Sequence, residues 1–217
     1  MNNEGLQLNV KQGFYWRCVF FITGIIILSL GVALTIKAQV LGVGSWDVLH
    51  IGLQKNFGLT VGTWSIILGL IILAIDALLT KRLPKIGTYL DMFLTGIFID
   101  IFLYMLPDLH HLFEQTLAFI VGIVLLGFGC GMYMVANLGI GPRDTLMLLL
   151  VHRLGWTVNR ARTTIEVTVA IIGFLLGGPI GVGTVFMALG LGPVVQWALR
   201  LNEKLFFRAS GTESAIL

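Results

Sequence analysis

Charge is scarce in this sequence. Lys and Arg number 14 and Asp and Glu 11 among 217 residues, so 12% of the chain is charged while 57% is apolar. An ordinary soluble domain carries about 25% charged residues, and that class is excluded. Cysteine is nearly absent too. Cys18 and Cys130 both lie inside apolar runs, which excludes a disulfide framework and leaves each thiol as a small hydrophobe. There is no hydrolase triad pattern, nucleotide-binding loop, zinc HExxH pair or nucleic-acid module, so no enzyme, cofactor, metal or nucleic-acid partner is expected. The short alternating segments of an outer-membrane barrel are missing as well.

What the chain has is apolar length. A helix needs about 20 apolar residues to cross hydrocarbon, because lipid offers no partner to backbone N–H and C=O groups. Six runs meet that need, at 18–37, 61–79, 88–106, 115–136, 160–177 and 184–201. The expected fold is an all-α polytopic bundle, a single membrane domain over 1–217, whose first partner is the lipid bilayer. The first run follows Lys11 and Arg17, continues past 36 without an A-x-A site, and reads as a retained helix rather than a signal peptide. Two shorter, more polar segments, 38–60 and 137–159, predict half-helices that are either re-entrant or interfacial. With the N-terminus cytoplasmic, twelve basic residues face the cytoplasm and only Lys37 and Lys55 face outward. That bias predicts cytoplasmic termini and a cytoplasmic tail over 202–217.

The short segments are copies of one another. Leu41-Gly42-Val43-Gly44-Ser45-Trp46-Asp47 returns 97 residues later as Leu138-Gly139-Ile140-Gly141-Pro142-Arg143-Asp144, and nine positions are identical between 41–61 and 138–158. These include Gly58/Gly155, Thr60/Thr157 and Val61/Val158. Gly31 lies opposite Gly129, and Gly87-Thr88 opposite Gly183-Thr184. The chain therefore divides into a first repeat, 15–107, and a second, 113–201, each with three spans and one short segment. An odd number of spans turns the second repeat upside down relative to the first. Inverted repeats with discontinuous helices are a design of many secondary transporters.

Candidate pathway residues follow from this symmetry. Gly42, Gly44, Gly139 and Gly141 permit tight turns, and the helix after each pair exposes free N–H groups at the positive end of its dipole. Asp47 and Asp144 then either cap those helices or contact a solute. Asp47, His50 and Gln54 share one helical stripe, which lines an aqueous cavity or lies at the headgroup interface. Arg143 neighbours the second carboxylate. Asp100 lies inside the third span opposite Gln196 in the sixth, and serves either ion coupling or an interhelical hydrogen bond. Gly192-Pro193 interrupts the sixth span as a kink or a gate. Glu166 is expected to pair with Arg162 four residues earlier, Asp76 and Asp91 to reach headgroup water, and His110-His111 to occupy a solvated loop or bind a metal.

With the 41–47 motif, its echo at 138–144 and the Gly-Leu-Thr-Val-Gly-Thr-Trp run at 58–64, the chain resembles the bacterial YczE/YyaS/YitT family of membrane proteins. The resemblance covers about 15–200 and looks like the YczE-type members, without the soluble C-terminal domain of YitT-type members. It implies a multi-pass protein of the bacterial cytoplasmic membrane. The functional expectation is a transporter or exporter of an unidentified small solute. A non-transporting scaffold or accessory protein is the second expectation, and a homo-oligomer is compatible with either.

Overall fold

The computed structural model describes residues 3–210, and every regular element among them is helical. The order is α1 (Asn3–Lys37), α2 (Ser45–Phe57), α3 (Val61–Thr80), α4 (Ile86–Met105), α5 (Leu112–Ala136), α6 (Pro142–Leu154), α7 (Val158–Leu175) and α8 (Val182–Ser210), with a 3-10 turn at Gln39–Leu41 before α2. The repeat's identities at 58–61 and 155–158 are turn chemistry. Gly58 and Gly155 end α2 and α6 with φ of +72° and +64°, a conformation that penalises any residue with a Cβ. Thr60 and Thr157 then cap α3 and α7, accepting from Thr63 N at 3.1 Å and Arg160 N at 3.3 Å. Each cap satisfies a donor that the helix itself leaves orphaned.

The two halves meet most extensively along α1 and α5, which run antiparallel. Gly24, Leu28, Gly31 and Thr35 correspond at an offset of 98 to Gly122, Leu126, Gly129 and Tyr133, and the contacts are reciprocal. A Cβ on Gly24 would lie 2.9 Å from Gly129 O, and one on Gly129 would lie 2.6 Å from Gly24 O. On the other side of the crossing, a Cβ on Gly31 would lie 2.7 Å from Gly122 O, and one on Gly122 would lie 2.9 Å from Gly31 O. Such a self-complementary crossing is what a two-fold axis perpendicular to both helices produces. Small residues at the crossing let backbones approach where lipid gives no hydrophobic push between helices.

Around this axis the halves exchange partners. Helix α2 packs on α7, and α6 packs on α3. The loop at 41–44 rests on the start of α8, and the loop at 138–141 on the start of α4, where Ile140 N donates to Thr88 Oγ1 at 3.3 Å. The C-terminal ends of α2 and α6 lie at opposite ends of the bundle. Lys55 Nζ and Asn56 Nδ2 donate to Gly177 O and Leu176 O at 2.8 and 2.7 Å, while Arg153 donates to Leu79 O.

Among the described residues, five helices are long and apolar enough to cross a membrane: α1 from Gly13, α3, α4, α5 and α8. Their outward faces carry unpartnered Leu, Ile and Phe, as expected where lipid is the solvent. Helix α7, expected as a sixth span, has 18 residues but carries Arg160, Arg162 and Glu166, so its composition falls short of the other five. Helices α2 and α6 have 13 residues each, about 20 Å of rise and well short of a crossing. Helix α8 is longer than the expected sixth span. It runs unbroken through Pro193, and residues 202–210, expected to begin a tail, continue it. Asn202 donates to Phe128 O at 3.2 Å and Phe206 packs edge-on against Phe20 at 5.2 Å. The remainder of that expected tail, 211–217, lies outside the described residues.

Candidate functional site

Helices α2 and α6 come from opposite ends and bring their N-termini together inside the bundle. Gly44 and Gly141 are the N-caps, and neither helix has a side-chain cap hydrogen bond there. Their aligned peptide groups put two partial positive charges face to face, a repulsive arrangement unless anions are supplied. The sequence supplies Asp47 and Asp144 in the two first turns. The position of both carboxylates in first turns is accounted for by the helix charges alone, although no hydrogen bond from a helix N–H to either is present among the described residues. Arg143 is not so accounted for, because a cation beside two helix N-termini raises the local positive potential.

Arg143 bridges the halves. Its guanidinium lies 5.2 Å from the centroid of the Trp46 ring and its Nη2 lies 3.8 Å from Asp47 Oδ1. His50 Nδ1 lies 3.6 Å from the same oxygen, one helical turn along α2. Both separations exceed a hydrogen bond. Asp47 and His50 are 2% and 1% exposed, and Asp47 Oδ1 and His50 Nδ1 are buried without a hydrogen-bond partner. A buried carboxylate left in this condition is costly to the fold.

Beside this cluster is a cavity of about 160 Å³ to which all eight helices contribute. Trp46 and His50 line it from α2, Arg143 and Asp144 from α6, and Asp91 from α4. Arg162 and Glu166 line it from α7, with Arg162 itself exposed. Tyr133 donates to Asp144 Oδ2 at 3.4 Å, and Thr95 donates to Asp91 Oδ1 at 3.4 Å. The halves are not chemically equivalent around this space. Where the second half offers Arg143, Arg162 and Glu166, the first offers Trp46, Ser65 and Gly69 at the matching positions. Where α4 offers Asp91, α8 offers Met187. The charge of the cavity is thus concentrated around α6.

Of the residues singled out from sequence, Asp47, His50, Arg143 and Asp144 come together here, framed by Gly44 and Gly141. Gly42 and Gly139 sit behind, against Gly181 and Gly87. Gln54 faces a separate pocket at the Lys37–Asp108 end of the bundle. Asp100 lies apart from the cavity, accepting from Gly62 N at 2.8 Å and from Thr60 Oγ1, so it anchors the first turn of α3. Gln196, Gly192 and Pro193 are on the exposed face of α8, away from the cavity.

Asp91, Tyr133, Arg162 and Glu166 are the site members that sequence reading passed over. Asp91 is 7% exposed rather than in headgroup water, because the 138–141 loop covers the start of α4. Arg162 and Glu166 form no ion pair with each other among the described residues. The signal for Asp91 was available in the repeat, as a carboxylate standing opposite a methionine. His111 caps α5 together with Glu114, and no cluster of three metal-ligating side chains occurs among the described residues.

A helical membrane bundle whose two halves contribute opposed short helices to one charged internal cavity is the class that fold and site define. The chain belongs to the DUF6198 family, a family of unknown function whose profile matches residues 15–200. It is similar to "Uncharacterized membrane protein YczE" of Bacillus subtilis, 43% identical over 206 residues, covering 95% of this chain and 96% of that one. It is also 34% identical over 193 residues to "Uncharacterized protein YyaS" of the same organism, with 88% and 96% covered. An "Uncharacterized protein" of Haemophilus influenzae is 34% identical over 179 residues, covering 82% and 81%. No solved structure matches the chain.

Proposed function

We propose that this protein is a small-solute transporter of the inverted-repeat type, with α2 and α6 as re-entrant half-helices and the cavity between their N-termini as the solute site. The observation that carries this reading is the charged cavity itself. Charges inside a membrane protein are expensive and are retained where they meet a solute or ion. Here they gather where two short helices from opposite ends meet, a recurrent location for transporter sites. The basic residues support a bacterial cytoplasmic-membrane location with both termini cytoplasmic. Lys81, Arg82, Lys85 and Arg153 then share the cytoplasmic end, leaving Lys37 and Lys55 at the other.

The test is flux. A solute that raises the melting temperature of the purified protein should be accumulated or released by proteoliposomes. Asp144→Asn and Asp47→Asn should each lower the rate by roughly tenfold or more, the equivalent of about 1.4 kcal/mol of lost solute interaction. Wild-type rates in both variants would contradict the assignment. A scaffold role predicts instead a stoichiometric co-purifying partner and no solute-dependent shift.

A further inference from the structure

We propose that Trp46, Asp47 and His50 form a recognition site for a small organic cation, a guanidinium or alkylammonium group, which Arg143 occupies as a tethered surrogate in this structure. The inference rests on the solute-site reading above and adds the chemical class of the solute. Four observations carry it. The Arg143 guanidinium lies over the Trp46 ring, 5.2 Å from its centroid, the arrangement by which indole faces hold cations. The same group approaches Asp47 Oδ1 only to 3.8 Å. Asp47 Oδ1 and His50 Nδ1 are fully buried and lack hydrogen-bond partners among the described residues, so each would be satisfied by an N–H donor brought closer than Arg143 brings its own. Finally, the side chain of Arg143 is 41% exposed, so it can swing away without exposing a packed core.

The charge around the cavity points the same way. Carboxyl groups of Asp91, Asp144 and Glu166 line the cavity and Asp47 lies beside it, each an acceptor for the N–H donors of a cation. A cavity of about 160 Å³ matches the size that holds a benzene-sized guest. Methylguanidinium and tetramethylammonium fall within that size. An entering cation would displace the Arg143 guanidinium from Trp46, and the freed arginine would remain beside Asp144.

The experiment measures binding by calorimetry and tryptophan fluorescence on the full chain in nanodiscs, with methylguanidinium and tetramethylammonium as probes and acetate as the anionic control. Arg143→Met keeps the side-chain stem and removes the competitor. Affinity for both cations should rise by roughly tenfold or more, since a cation–π contact no longer has to be displaced. In that background Trp46→Phe should abolish the fluorescence change and weaken binding. Asp47→Asn should weaken it further, with acetate silent throughout. Should Arg143→Met fail to fold, wild-type protein still decides the matter through weak cation binding that Trp46→Phe reduces. Acetate binding that needs Arg143, or cation binding indifferent to Trp46 and Arg143, would overturn the proposal. Flux of a non-cationic solute through the same cavity would overturn the cation class while leaving the transporter reading intact. Cation binding without flux would do the reverse.

Discussion

Alanine at Gly31 and at Gly129 tests the symmetric crossing of α1 and α5 directly. A Cβ at Gly31 would lie 2.7 Å from Gly122 O, and one at Gly129 would lie 2.6 Å from Gly24 O. The nearest atoms are closer still, Leu126 N and Leu28 N, each at 2.4 Å, so the helices must part by roughly 0.9 Å to restore an ordinary approach of about 3.3 Å. The obstructing atoms are backbone and cannot turn aside. Overpacking of this kind costs about 1–3 kcal/mol, and the upper part of that range applies. Replacing glycine by alanine in a helix returns about 1 kcal/mol. The expected net loss is therefore about 2 kcal/mol at each site, roughly a thirtyfold fall in the folded-to-unfolded ratio. Gly190→Ala is the control, because nothing lies within 4 Å of its added Cβ, and it should be neutral or slightly stabilising. Reversible unfolding in mixed detergent micelles reads all three variants. The reasoning is refuted if either interface variant is as stable as the wild type, or if the two differ from each other by as much as they differ from Gly190→Ala.

Two further outcomes follow from particular contacts. Asp100→Ala removes the acceptor for Gly62 N and Thr60 Oγ1, so thermal denaturation should show a loss of about 0.5–2 kcal/mol, typical of a lost helix cap, while solute flux at a matched temperature stays at the wild-type rate. At the same end of the bundle, just beyond α4, lies the Lys37–Asp108 ion pair, at 2.6 Å, whose hydrogen bond and positive charge hold the Asp108 carboxyl below its ordinary range. A depressed acid stabilises the fold above its unfolded-state pKa and loses that contribution as pH falls through the lowered value. The melting temperature of wild type minus that of Asp108→Asn should thus be constant near neutral pH and shrink toward zero in acid, the effect being small because the pair is solvent-exposed.

Much of this architecture was legible because its constraints are local. Gly58, Thr60, Gly155 and Thr157 are demanded by the turns they occupy, so they recur wherever the turn recurs. The paired Gly-x-Gly-x-x-Asp segments announced two short helices because each helix start needs a compact turn and an anion. What escaped was depth. Asp91 is one turn into α4, a position that implies headgroup water on an isolated helix, yet a loop from the other half covers it. Arg162 and Glu166 have the spacing of a surface pair, and only the packing of α2 and α6 shows that α7 turns them toward a cavity. Gly192 matched Gly96 and Gln196 stood opposite Asp100 by sequence, but the face that carries them, with Pro193, looks outward. Periodicity says which residues share a face, and nothing within one helix says what covers it.

The central claim is that α2 and α6 enter from opposite sides of the membrane and meet at one site. In a background lacking Cys18 and Cys130, single cysteines at Lys55 and Arg153 should be measured for labelling by an impermeant maleimide in intact cells and in inverted vesicles. Labelling of position 55 only from outside and of position 153 only from the cytoplasmic side is the predicted result. Labelling of both positions from the same side would contradict the inverted architecture, and with it the solute site at its centre.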